Sequence, residues 1–351
     1  GRPTRQRHRI AFKWEMSVEG EVQPRHEVTG GDLLVSWSAS LDAFLWEGED
    51  AVLNQHIFKV DERTDHVERD YLYWLLKFQM EAMRSQTHGA TMKHITKTSF
   101  TATEIPLPPL SEQRSIAGRL TAQMEQVAAA RTAAQARLTV AGTLPTALLR
   151  SVIIEAEANA DSEVALGDVL EITSKLVDPT APANRDLPHV NGENIESGTG
   201  RIPWIKSSVE LGMTSSKYRF QPGSLLYSKL RPYLRKAAIA DFEGVCSADM
   251  YPLQAKDDRL LPEYALFLLL SQQFTEYADC ESRRARMPKL NRKSLFAFRT
   301  CLPNLDLQCR LVDAHAERMK QANTLRGEAE QELASIDALP AALLREVFDA
   351  A

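Results

Sequence analysis

Between about Ile105 and Val152, apolar residues recur in steps of three and four: Ala117, Leu120, Met124, Val127, Arg131, Ala134, Leu138 and Ala141. This heptad seam, thin in large side chains and broken by one arginine, predicts a long helix that needs a partner of similar shape. The pattern returns at a constant offset of 195 residues as Val312, His315, Met319, Ala322, Arg326, Ala329, Leu333 and Ile336. Pro108 pairs with Pro303, Gln113 with Gln308 and Pro145 with Pro340 at the same offset. An ungapped repeat of this length predicts one rigid element made twice, because loops tolerate insertions and packed helices do not. The natural partner of each copy is the other.

Reach predicts the sense of the pairing. A helix from Glu112 to Leu144 is roughly 50 Å long at about 1.5 Å per residue. A connector from Ser151 to Glu163 spans at most roughly 45 Å fully extended. A parallel pair would send it back along the whole rod, so the helices are expected antiparallel, with a globular domain at each end and an approximate two-fold relation. Ser111, followed by Glu112 and Gln113, is the expected cap, after an extended IPLPP lead-in.

The flanking segments also repeat. GGDLLVSWSASL and AVLNQHIFKV predict short strands, and Arg69 to Met83 predicts a helix. PGSLLYSKLRPYL, VCSADMYPLQ and LPEYALFLLLSQQF follow in the same order in the second half. The first half is shorter by roughly thirty residues before this point, and its start, with no initiator Met, is expected to be trimmed or partly ordered. The expected fold is α+β: two globular α/β domains joined by two long helices in an antiparallel coiled coil with pseudo-two-fold symmetry. The boundaries are 1–108 for the first domain, 109–156 for the first spacer, 157–303 for the second domain and 304–351 for the second spacer.

Composition narrows the function. At 351 residues, 44% hydrophobic and 25% charged, the chain has room for two cores. No apolar run suggests a membrane span, and GRPTRQRHRI has no signal-peptide core, so a cytoplasmic location is expected. Cys246, Cys280, Cys301 and Cys309 have no metal-site spacing and are expected as reduced, mostly buried thiols. Phosphate-loop, zinc-hydrolase, serine-hydrolase and adenine-methylase motifs are all missing, and lone acids such as Asp249 and Glu193 are expected to be surface residues rather than catalysts.

The net charge of −5 argues against a nucleic-acid binder, but its distribution argues for one. Lys217 to Lys236 holds six bases and no acid, and Arg283 to Arg299 holds seven and no acid. YSKLRPYLRK interleaves bases with aromatics, and strand alternation would send Lys229, Arg231 and Tyr233 to one face. Arg283, Arg284, Arg286 and Lys289 form a basic loop suited to guanine and phosphate. Lys93, His94 and Lys97 are the weaker counterpart in the first half; there, Gln55 is a base reader or a core residue, and Trp37 is better explained as core. Arg131 and Arg326 either form a polar layer with Glu125, Glu328 or Glu330, or lie at the edge of the seam with their heads in water.

The doubled order of GD-L-SW or YSKLR, NQHIFKV or CSADMY, Met-basic, LPPLxEQ, long helix and LPxALLR resembles the specificity subunit of Type I restriction-modification systems. The second copy departs from LPPLxEQ, with Leu307 in place of the Glu. The resemblance implies two target-recognition domains, each reading half of a bipartite asymmetric site on double-stranded DNA. It implies that the spacer helices set the gap between the halves; roughly 50 Å exceeds one DNA turn of about 34–36 Å and falls short of two. It implies no catalysis and no cofactor on this chain. Two modification (methyltransferase) subunits would carry S-adenosylmethionine, and restriction subunits would carry ATP and Mg²⁺. The rival readings of the residues are a coiled-coil adaptor that binds proteins, favoured by the net charge, and an enzyme with an unrecognised site.

Overall fold

The computed structural model describes residues 26–36, 41–54, 56–61, 65–85, 105–160, 162–282 and 288–349. They form two compact units, one of residues 1–134 with 332–351 and the other of residues 135–331. Each unit therefore takes the start of one spacer helix and the end of the other.

In the first unit, β1 (Glu27–Val28) pairs with β4 (Ala51–Val52), while β2 (Leu33–Ser36) lies between β3 (Asp42–Leu45) and β5 (Ile57–Val60), all antiparallel. The single strand expected over AVLNQHIFKV is thus two short ones. Leu33 and Val35 project from the central strand onto Leu72, Leu76 and Met80 of α1 (Arg69–Ser85), which matches the helix read from spacing. The opposite side of α1 carries Tyr71 and Leu75 to a second cluster, where the start of α2 (Leu110–Ala158) brings Ala117 and Leu120. The same cluster receives Leu344 and Phe348 from the end of the last helix, α7 (Leu305–Phe348). The Tyr71 and Phe348 rings meet edge-on at 5.8 Å.

The second unit builds the same motif. Its strand β12 (Leu225–Ser228) lies between β13 (Ala237–Ile239) and β15 (Met250–Ala255), the counterparts of β2, β3 and β5. Gly31 and Gly223 both turn the chain into the central strand at positive φ, 94° and 83°, where a side chain would be strained. The counterpart of α1 is broken at Ser271 into α4 (Pro262–Leu270) and α5 (Gln272–Ser282). Leu149, Val152, Ile153 and Ala156 from the end of α2 share a core with Leu307 and Leu311 from the start of α7. Leu149 and Ile153 occupy the repeat positions of Leu344 and Phe348. Taken separately, both units place a helix start beside a helix end, the antiparallel sense predicted from reach.

Among the described residues, the second unit has additional strands. A five-stranded sheet, in the order β10 (Lys206–Ser207), β9 (Pro188–Val190), β14 (Gly244–Cys246), β11 (Lys217–Phe220) and β8 (Leu176–Val177), packs Val190, Phe220 and Cys246 against Leu226 and Ala238. In addition, β6 (Ser162–Ala165) pairs with β16 (Arg299–Leu302), and β7 (Leu170–Glu171) extends the β15 edge. Two short helices, α3 (Leu166–Val169) and α6 (Arg292–Ala297), complete the unit.

The spacer helices differ from expectation at both ends. Helix α2 begins at Leu110, so Ser111 lies inside it; the amides of Glu112 and Gln113 donate to the Pro109 carbonyl. In α7 the equivalent position is Asn304, whose side chain accepts from the Leu307 amide. Neither helix stops at its proline. Pro145 and Pro340 sit inside continuous helices. A mid-helix proline costs about 3 kcal/mol, but the turns beyond it bury Leu149, Val152 and Ile153 in one copy and Leu344 and Phe348 in the other. Each such side chain contributes about 1.5–3 kcal/mol.

Every seam position is buried or half-buried except Arg131 and Arg326. Arg131 Nε reaches Asp337 at 2.6 Å and Arg326 Nε reaches Glu330 at 2.9 Å, with all four side chains at least 43% exposed. The two arginines are therefore edge residues, and Asp337 is a partner the sequence did not suggest. By length and composition alone, α2 contains one 18-residue window apolar enough to cross a membrane. Alanines such as Ala128, Ala129, Ala130, Ala133 and Ala134 dominate the middle of that helix. Of the cysteines, Cys246 is buried, Cys301 is half-buried, and Cys280 and Cys309 are exposed, so the expectation of mostly buried thiols holds for only part of the set.

One buried glutamine ties each spacer to its unit. Gln113 donates from Nε2 to the carbonyls of His66 and Pro108, at 2.8 and 2.7 Å, and accepts from the Glu68 amide at 2.8 Å. Gln308 makes the same three bonds to Arg259, Pro303 and Leu261, at 2.8, 2.8 and 2.9 Å. Glu68 and Leu261 directly precede α1 and α4, so the glutamine joins the first turn of the spacer to the start of the domain helix. Truncating Gln308 to Ala leaves one buried donor and two acceptors unpaired, and we predict a loss of about 2–3 kcal/mol. Thermal unfolding should show this for Gln308→Ala and Gln113→Ala, while the exposed Gln126→Ala stays near wild type.

His189, 2% exposed on β9, has no hydrogen-bond partner on either ring nitrogen. Burial, reinforced by the nearby Lys217 ammonium, lowers its pKa to about 4. The folded protein therefore binds this proton more weakly than the unfolded chain. The stability it contributes is complete above the ordinary value of 6.5 and is lost as pH falls toward about 4. Denaturant melts across that window should show a fall in stability that is smaller in His189→Leu.

Candidate nucleic-acid interface

The two basic stretches of the second unit meet through their backbones. After β12 ends at Ser228, the Lys229 amide donates to the Asp249 carbonyl and the Lys229 carbonyl accepts from the Leu290 amide. Leu230 forms an antiparallel bridge with Lys289, and the Arg231 amide donates to the Pro288 carbonyl. The short segment 229–231 is therefore bonded through its backbone both to Asp249 and to the stretch 288–290.

Strand alternation does not extend through this segment. A single 3₁₀ turn, Pro232–Leu234, follows, flanked by Arg231 and Arg235, each left-handed at φ 50°. Such a backbone costs non-glycine residues roughly 1–2 kcal/mol and tends to persist where function holds it. Arg231 is exposed and Tyr233 is 50% exposed, so these two share the surface. Lys229, expected beside them, is buried instead. Its ammonium bonds the Ala248 carbonyl, lies 3.6 Å from Asp249 and sits 5.2 Å above the Tyr251 ring. Burial lowers its pKa, and the neighbouring Lys289 lowers it further.

The remaining bases of YSKLRPYLRK are also structural. Arg235 donates from Nε and Nη2 to the Leu270 carbonyl, closing the end of α4, and Lys236 donates to the Gly192 carbonyl. Lys289 is exposed, with its ammonium 3.2 Å from Asp249. Arg283, Arg284 and Arg286, together with Lys93, His94, Lys97, Trp37 and Gln55, lie outside the described residues. Glu193 is an exposed turn residue, as expected, but Asp249 is the hinge of the cluster, a role that only its spatial neighbours reveal. Among the described residues no group of His, Cys, Asp or Glu is arranged to hold a metal.

The chain is 30% identical over 315 residues to the Type I restriction enzyme EcoDI specificity subunit of Escherichia coli, covering 80% of this chain and 70% of that one. It belongs to the family of Type I restriction enzyme specificity subunits. Residues 23–134 match the family model for the Type I restriction modification DNA specificity domain. The MjaVIII specificity subunit of Methanocaldococcus jannaschii is 25% identical, covering 87% of this chain and 76% of that one. Among solved structures, the fold is shared with a chain described under the complex assembly and conformational transition of the type I R-M system. That match has a TM-score of 0.70 at 20% identity, covering 93% of this chain and 84% of that chain. It is also shared with the HsdS subunit from Thermoanaerobacter tengcongensis, with a TM-score of 0.58 at 20% identity, covering 93% and 83%.

Burial separates the cluster of this specificity subunit into a framework and a surface. Replacing Lys229 with Met leaves the Ala248 carbonyl and Asp249 without their shared ammonium, and we predict a loss of about 1–3 kcal/mol. Arg231→Ala, Tyr233→Ala and Lys289→Ala should each stay within about 0.5 kcal/mol of wild type. Chemical denaturation of the four variants checks the division.

Proposed function

We propose that this chain is the non-catalytic DNA sequence-recognition subunit of a Type I restriction-modification complex, reading a bipartite asymmetric site and scaffolding its partner subunits. The observation that carries this reading is a spacer made twice, each copy bonded through its glutamine to a similar core that presents different surface residues. Residues 1–108 and 157–303 are the two target-recognition domains, and residues 109–156 and 304–351 are the spacers between them. The partners are double-stranded DNA, two modification subunits that use S-adenosylmethionine, and restriction subunits that use ATP and Mg²⁺; the complex works in the cytoplasm.

In the second domain Arg231, Tyr233 and Lys289 contact DNA together with Arg283, Arg284 and Arg286, and Lys229 acts from beneath by holding Asp249. In the first domain Lys93, His94 and Lys97 take the corresponding part. Support comes from the relatives, from the exposure of Arg231, Tyr233 and Lys289, and from the backbone bonds that gather two acid-free stretches into one cluster.

If six to eight phosphates are neutralised, the logarithm of affinity should fall against the logarithm of salt with a slope of roughly −5 to −7. Titrations of the chain with its modification partner provide the check, and an affinity indifferent to salt would refute the basic surfaces. Mapping methylated adenines in the source genome, with and without the gene, tests the reading as a whole. A two-part motif should disappear on deletion. Removing one heptad from both spacers should alter the gap between the halves and leave the halves themselves unchanged.

A further inference from the structure

We propose that Asp249 is a base-reading residue of the second domain: its carboxylate accepts the N4 amine of a cytosine in the major groove, while Lys289 donates to the guanine paired with it. The proposal rests on the DNA-recognition reading and adds a specific acceptor to a surface otherwise argued from its positive charge.

Three observations support it. The basic stretches 217–236 and 283–299 contain no acid, yet the fold inserts Asp249 between them, with its main-chain carbonyl bonded to Lys229 and its side chain 46% exposed. A carboxylate repels phosphate, so Asp249 lowers the general attraction for DNA, a cost that recognition of a base donor would offset. Second, it is held from two sides. Lys289 lies 3.2 Å away at the surface, and Lys229 lies 3.6 Å away beneath it, itself fixed by the Ala248 carbonyl and the Tyr251 ring. An exposed ion pair adds little stability, and burying a lysine costs solvation, so stability alone does not explain the arrangement.

The third observation is the match of donor and acceptor to a base pair. An ionised carboxylate only accepts, and among the donors at major-groove edges it pairs best with cytosine N4. On a G·C pair the guanine acceptors N7 and O6 lie together, with the cytosine amine next to O6 at a hydrogen-bonded separation of about 2.9 Å. An ammonium 3.2 Å from a carboxylate presents the complementary pair: Lys289 to O6 and N7, Asp249 to N4. On an A·T pair the amine instead lies between two acceptors, and the thymine methyl adds bulk, so the same dyad fits less well.

The test uses the full chain assembled with its modification subunit, as wild type, Asp249→Asn and Lys289→Ala, with two readouts: the methylated motif on genomic DNA and the affinity for pooled random DNA. Asn keeps the shape and adds a donor where the carboxylate had none. For Asp249→Asn, one C·G position in one half of the motif should lose its discrimination by about 5- to 150-fold. The other half should be unchanged, and random-DNA affinity should be equal or higher. Lys289→Ala should relax the same position and weaken random binding. An unchanged motif overturns the proposal, as does relaxation at an A·T pair. A uniform fall in methylation with a lowered melting temperature would mark Asp249 as structural and overturn it equally. If the wild-type complex shows no sequence-selective methylation, the DNA-recognition reading fails first.

Discussion

A glutamine with no access to water fixes the relation between a spacer helix and the domain it carries. Gln113 and Gln308 each use both amide hydrogens and the carbonyl oxygen, and each spans the break between an extended proline segment and the loop before a domain helix. An amide buried this way is tolerable only when its bonds are made. The geometry is therefore close to all-or-none. A spacer that entered at another angle would strand several polar groups at once, which makes the glutamine a stronger determinant of direction than the weak seam of alanines and methionines that follows.

The second constraint is exchange. Neither core is closed by the residues around its own sheet alone: α1 leaves Tyr71 and Leu75 facing Leu344 and Phe348 from the far end of α7, while α4 and α5 share a core with Leu149 and Ile153 from the far end of α2. This arrangement accounts for helices that run through Pro145 and Pro340. The backbone break is local, whereas the burial beyond it is shared with a whole domain.

Much of this was legible in the chain because it is written twice. The seam, the antiparallel sense and the order of β2, β5 and α1 all followed from periodicity and offset. The helix ends did not, because proline and serine were weighed by local rules while tertiary burial decided the outcome. Lys229 was misplaced for a related reason. Alternation held through Ser228, but two left-handed arginines then turned the chain, and nothing in the residue types of Arg231 or Arg235 signals positive φ. The five-stranded sheet of the second unit did not follow from periodicity, because its strands are two to four residues long and separated by turns. Asp249 illustrates a third limit: an acid between hydrophobic strands looks incidental until the fold sets two lysines against it.

The exchanged helix ends also bear on how such a chain is made. During synthesis, the second unit acquires all of its parts once α7 is partly complete, since the end of α2 is already present. The first unit begins to emerge earlier but must wait for Leu344 and Phe348 before its last apolar face is covered. For that interval Tyr71, Leu75, Ala117 and Leu120 lack the cover of Leu344 and Phe348, so the half that is translated first is the half that matures last.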